Sequence, residues 1–170
     1  MAARKMKLAV LGEGGVGKTT LVKTFKDGAF SPSTMTIAVE YHAKKTAVAG
    51  HPVLLQIWDL GGQDQFKNMG LFSRYLEGTQ GAVLCFDLTD LDTLDILPEW
   101  IAMLPKNISM ILVGLKADLL DPTNPFDEAE LSSLMDSYPF LEFCLTSAWD
   151  PITVNHAFRK IATAAFESSS

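Results

Sequence analysis

The 170-residue chain is predicted to adopt an α/β fold: a six-stranded, mostly parallel sheet with one antiparallel edge strand and helices on both faces. Three observations predict it. Short runs rich in Val, Ile, Leu and Phe alternate with segments of helical spacing. Two extended stretches are joined by only four residues. A glycine-rich turn directly follows the first apolar run and opens a helical pattern.

Residues 7–11, 53–58, 81–86, 109–113 and 141–145 read as strands covered on both faces. Helical spacing runs through 18–25, 96–104, 128–135 and 152–166. In the last of these, Ile152, Phe158, Ile161, Ala165 and Phe166 fall mainly on one side, and Asp150-Pro151 reads as N-cap and first-turn residue. The stretch 37–48 reaches Val53 through Ala49, Gly50, His51 and Pro52, which implies a hairpin and hence the antiparallel edge strand. Pro98 blurs the start of the helix that carries Trp100. The sequence shows no repeat, low-complexity tract or linker, and its length suits one domain spanning 1–170.

A net charge of -6 leaves no basic stripe, so nucleic acid and anionic membrane surfaces are not expected partners. Cys85 (in AVLCF) and Cys144 (in LEFCLT) read as buried reduced thiols, which favours an intracellular, cytoplasmic setting. No run is long and apolar enough to span a bilayer, and no signal-peptide core is visible. Ala2 in place of Gly, and an end of Glu167 and three serines, offer no lipidation site. No membrane anchor is expected in this chain, so any membrane location would be peripheral and through partners. A monomer is expected.

Residues 12–19, GEGGVGKT, match GxxxxGK[ST] in a strand-loop-helix setting. Glycines let the backbone form a nest of N–H groups around phosphate oxygens, and the helix N-terminus adds its dipole. Gly14, Gly15, Val16, Gly17, Lys18, Thr19 and Thr20 are the expected nucleotide contacts; Lys18 reaches the β- and γ-phosphates and the Thr19 hydroxyl ligates Mg2+. This is the P-loop NTPase fold, and alone it specifies only a nucleoside triphosphate.

The reaction is read from WDLGGQ at 58–63. Asp59 can hold Mg2+ through its water shell, and the Gly62 N–H can reach a γ-phosphate oxygen with no side chain intervening. Gln63 is neutral and amphoteric, suited to orienting an attacking water.

GEGGVGKT, WDLGGQ and TSA at 146–148 together resemble the Ras superfamily of small GTPases over nearly the whole chain. LLQIWD and FDLTD are most similar to the Rab branch, whereas Gly61-Gly62 before Gln63 resembles the Arf branch. The resemblance implies a guanine-nucleotide switch that hydrolyses GTP to GDP. It implies Phe30 against the guanine ring and Thr36 as the switch threonine on Mg2+ and the γ-phosphate. Thr34 is the alternative, because the segment counted forward from Phe30 is one residue shorter than the Rab pattern. It also implies backbone contacts from Ser147 and Ala148 to guanine O6, with Trp149 flanking the ring in place of Lys or Leu. A GTPase-activating protein, an exchange factor and effectors are the implied partners.

The base motif departs from the family's Asn-Lys-x-Asp: here it is Leu115-Lys116-Ala117-Asp118. Asp118 can still accept from guanine N1 and the exocyclic amine, and the Lys116 stem can cover the ring. The amide that would bond guanine N7 and tie this loop to the phosphate loop is missing, at a cost of about 1–3 kcal/mol. None of the three arginines, Arg4, Arg74 and Arg159, lies in the phosphate loop or first switch, so unassisted turnover should be slow. Leu115 supports an alternative, a scaffold that holds nucleotide with little hydrolysis. An ATP-using small-molecule kinase would need an Arg-rich lid, which scarce arginine and Asp118 oppose.

Overall fold

The computed structural model describes residues 2–33, 38–62 and 70–170; Thr34, Thr36 and Gln63 lie outside the described residues. Strand β1 (Arg4–Gly12) runs into the glycine turn and then helix α1 (Lys18–Asp27). Strands β2 (Val39–Val48) and β3 (His51–Leu60) form the expected hairpin.

The hairpin turn is tighter than the four-residue link read from the sequence. Val48 pairs with His51 around Ala49 and Gly50, whose φ values of 49° and 80° are those a type I′ turn demands. Pro52 lies one step beyond the last β1 pair, Arg4 with Val53, so its missing N–H breaks no bond to β1.

Then follow α2 (Leu71–Leu76), β4 (Gly81–Asp87), α3 (Leu97–Met103), β5 (Ser109–Leu115), α4 (Ser132–Ser137), β6 (Phe140–Leu145) and α5 (Pro151–Ser168). Pro98 falls in the first turn of α3, where no N–H is required. The helix expected over 128–135 is α-helical from Ser132, in α4, but its first turn, Glu128–Leu131, is 3-10. Asp127 sets that turn by accepting from the Ala129 N–H at 3.0 Å.

The sheet order is β2-β3-β1-β4-β5-β6, and among the described strands only the β2–β3 pair is antiparallel. Every residue of β4 is buried, as a central parallel strand requires. One face packs α1 and α5 over Leu8, Val10, Val83 and Ile111. The other packs α2 and α3 over Leu84, Phe86 and Leu112, with Phe72 and Trp100 edge-to-face at 5.3 Å. Truncating the fully buried Trp100 to Ala would cost about 3–5 kcal/mol.

Helix α5 begins as expected: Asp150 accepts from the Ile152 N–H at 3.1 Å with Pro151 next in line. Ile152, however, is 80% exposed; Val154, Ala157, Phe158, Ile161, Ala162 and Ala165 form the buried face. Six residues before Phe158 is well round the helix from it, so a mainly one-sided pattern included one outlier. Both cysteines are buried free thiols.

β1 lies between β3 on one side and β4 on the other, with the connections running outward in both directions, which makes the carboxyl end of β1 the switch point of the sheet. Asp87, Leu115 and Leu145 end the parallel strands β4, β5 and β6 on that same side. Loops from all of them converge there.

Candidate functional site

At one end of the site the backbone does most of the work. Gly15 and Gly17 hold φ values of 80° and 107°, which L side chains rarely adopt. Gly17 is the N-cap of α1, which has no side-chain cap bond and no acid in its first turn. Its first N–H groups can therefore be offered to an anion.

Lys18, 6% exposed, folds back over the loop and donates to the carbonyls of Gly12 (3.0 Å) and Glu13 (2.8 Å). Burial lowers its pKa, against the opposing pull of Asp59, Cys85 and Glu13. Thr19 Oγ1 donates to Asp59 Oδ2. Asp59 is fully buried, and burial raises its pKa despite the Thr19 bond and the Lys18 charge. A hydroxyl and a desolvated carboxylate in contact are hard oxygen donors placed where one cation could touch both, so the residues fit Mg2+.

Gly62 has a second reason to be glycine. A Cβ there would strike the Gly12 carbonyl oxygen, the Glu13 carbonyl carbon and the Gly14 nitrogen. The end of β3 thus lies directly against the phosphate loop, and Gly61 N–H donates to the Ala38 carbonyl at 2.6 Å.

At the other end, side chains from distant parts of the chain meet. Lys116, at φ 66°, donates to Asp87 Oδ2 at 2.6 Å and to the Gly15 carbonyl at 3.2 Å. Burial alone would raise the Asp87 pKa; bonds from Lys116 and Thr89 outweigh it, and the carboxyl titrates below its ordinary range. Ser147 Oγ donates to Asp118 Oδ1 at 2.8 Å and accepts from the Trp149 N–H at 3.2 Å. Thr24 Oγ1 donates to the Ala148 carbonyl at 3.3 Å.

Leu115 alters the expected cost of losing Asn. It is 3% exposed, belongs to the core beneath the phosphate loop, and its Cδ1 lies 3.7 Å from where a Cβ on Gly17 would be. Apolar packing by Leu115 and the Lys116–Gly15 bond tie the two loops that an amide was expected to tie. Phe30 belongs to neither core cluster; it stacks on Trp149 with centroids 3.7 Å apart and planes 13° from parallel.

A cleft of about 330 Å3 is lined by Gly14, Gly15, Gly17, Lys18, Thr19, Thr20, Gly62 and Lys116, all expected from the sequence. It adds Gly61 and Ser33, and Ser33 Oγ is 2.8 Å from Thr20 Oγ1. Val16 turns its side chain into the core, so only its backbone can serve the site. Phe30, Asp118, Ser147, Ala148 and Trp149 stand outside that lining and are linked to one another or to α1 by the contacts above. Sequence reasoning passed over Ser33 and Asp87; the run FDLTD, with an acid at a strand end, held the signal for Asp87.

Comparison with known proteins agrees with this geometry. Residues 7–167 match the Ras family. GTP-binding protein yptV2 of Volvox carteri is 36% identical over 162 residues, covering 92% of this chain and 73% of that protein. Ras-related protein RAB1BV of Beta vulgaris is 33% identical, with 92% and 74% covered, and human Ras-related protein Rab-12 is 31% identical, with 92% and 65% covered. With phosphate loop, strand-end carboxylate and base-side loops arranged on this sheet, and the match running almost end to end, the chain belongs to the Ras family of small GTPases, enzymes that hydrolyse GTP, and is Rab-like.

Proposed function

We propose that the chain is one 170-residue switch domain that binds GTP and GDP with Mg2+ and turns GTP over slowly unless a GTPase-activating protein assists. The observation that carries this reading is the run of contacts from phosphate end to base end, with Lys116 bonded to both the Gly15 carbonyl and Asp87.

Gly14 to Thr20 cradle the phosphates through backbone N–H groups, and the Lys18 ammonium leaves its loop carbonyls for β- and γ-phosphate oxygens. Thr19, Asp59 and Thr36 hold Mg2+, with Thr36 preferred over Thr34. Mg2+ supplies charge neutralisation on the phosphate oxygens when bound. Gly62 N–H bonds the γ-phosphate, and Gln63 orients the water for in-line attack. Asp118 reads guanine N1 and its amine, Lys116 covers the ring, Ser147 and Ala148 meet O6, and Phe30 and Trp149 flank the base.

Two segments around 30–39 and 61–75 change shape with the γ-phosphate, so effectors read one state and an exchange factor resets it. The Rab names of the relatives support a role in vesicle trafficking, with membrane location through partners. A supplied arginine would accelerate turnover by about 10³–10⁵.

The scaffold reading, with little cycling, rests on Leu115. The tie between loops noted above weakens that support, because the phosphate loop is braced without Asn. Gln63→Leu separates the parts: single-turnover phosphate release should fall about tenfold or more with GDP affinity unchanged. Equal release rates in the variant and the parent would remove Gln63 from the reaction.

A further inference from the structure

Away from the nucleotide cleft, Glu142 and Cys144 project from the same face of β6, two residues apart, toward α5. His156, on the second turn of α5, completes a group whose ligand atoms all lie within 4.8 Å of one another. His156 Nε2 is 2.8 Å from Glu142 Oε1. Thiol, imidazole and carboxylate are the donor set of a borderline-soft divalent ion, and three protein donors leave a fourth position open. A surface cleft lined by Cys144, Leu145, Ile152, Thr153 and His156 gives access to that position.

We propose that Glu142, Cys144 and His156 form a Zn2+ site that clips β6 to α5. On binding, the Cys144 S–H bond breaks, its proton passes to solvent, and the sulfur pair forms the S–Zn bond; His156 binds as neutral imidazole and Glu142 as carboxylate. Burial and the Glu142 charge push the Cys144 thiol up to about 12, while Lys160 pulls the other way.

Lys160 is the built-in competitor: its ammonium sits 3.8 Å from Glu142 Oε2. The two clipped elements also bracket the loop 146–150 that carries Ser147 and Trp149. A bound ion would brace that loop from below without touching the nucleotide.

Co2+ is the optical probe, added to the full chain in excess Mg2+ and GDP. The expected result is one equivalent bound, with thiolate-to-cobalt charge-transfer absorption and four-coordinate visible bands, and stoichiometric displacement by Zn2+. His156→Ala, at an exposed position, should weaken binding about tenfold or more and abolish the Zn2+-induced rise in Tm. Cys144→Ser should remove the charge-transfer band, whereas Cys85→Ser should keep it. Lys160→Ala should bind more tightly than the parent. Absence of a thiolate band in the parent, or a band that survives both Cys144→Ser and His156→Ala, would overturn the site. Since nucleotide binding is measured separately, failure here leaves the GTPase reading intact.

Discussion

The phosphate end and the base end of the cleft are built on different principles. At the phosphate end, eight consecutive residues, 12–19, shape the backbone, and the distant backbones of Cys85 and Gly62 are pressed against them. At the base end, Phe30, Asp87, Lys116, Asp118, Ser147 and Trp149 arrive from four separate stretches and meet only because the sheet order brings their strands side by side. A local backbone device tolerates almost no substitution. A long-range side-chain device can exchange one tie for another, as Leu115 and Lys116 do here.

The largest break in that contrast should come from Gly62→Ala. Its methyl has no space beside backbone atoms of residues 12–14, so the loop must move. We expect about 1–3 kcal/mol of lost stability and nucleotide affinity down by about tenfold or more, read by thermal melting and calorimetry. A tolerated methyl would mean that the β3 end does not fix the loop.

Next comes Asp118→Ala, which should erase the preference for GDP over ADP by removing the acceptor for guanine N1 and its amine, while leaving Tm near the parent value. The loss should reach about 2–4 kcal/mol in the GDP/ADP comparison. Retained preference would move base selection to Ser147 and Ala148.

Leu115→Asn sharpens the comparison instead of breaking it. If apolar packing has taken over the loop tie, the amide returns an N7 bond but buries a polar group among Val16 and Leu21. The net gain in GDP affinity should then stay below about tenfold, with stability falling by about 1–3 kcal/mol. A gain of two decades at unchanged Tm would show the tie had been lost.

The smallest effect is acid-dependent. The folded Asp87 pKa lies below its unfolded value, so its bond to Lys116 contributes above the ordinary carboxylate range, near about 4, and is lost as pH falls through the lowered value. Asp87→Asn should accordingly lower Tm at neutral pH, and the gap to the parent should close as pH falls through the lowered Asp87 value. A constant gap would exclude the carboxylate charge as its source.

The same division decides what could be read from the sequence. Strand, loop and helix around GEGGVGKT are local, so the phosphate cradle, Asp59 and the hairpin were legible from spacing and residue type. The Phe30–Trp149 stack joins residues 119 positions apart, and no periodicity links them. The same holds for Ser33 with Thr20, where the spacing of 13 carries no regular repeat. The outlying Ile152 and the 3-10 start of 128–137 were misread for another reason. Short amphipathic patterns constrain a face only to within a residue or two.

Calorimetric titration of nucleotide-free protein with Mg·GDP and with Mg·ADP tests the central claim most directly. The account predicts one site, tight for GDP and at least about a hundredfold weaker for ADP. Equal binding of both, or no heat with either, would contradict it.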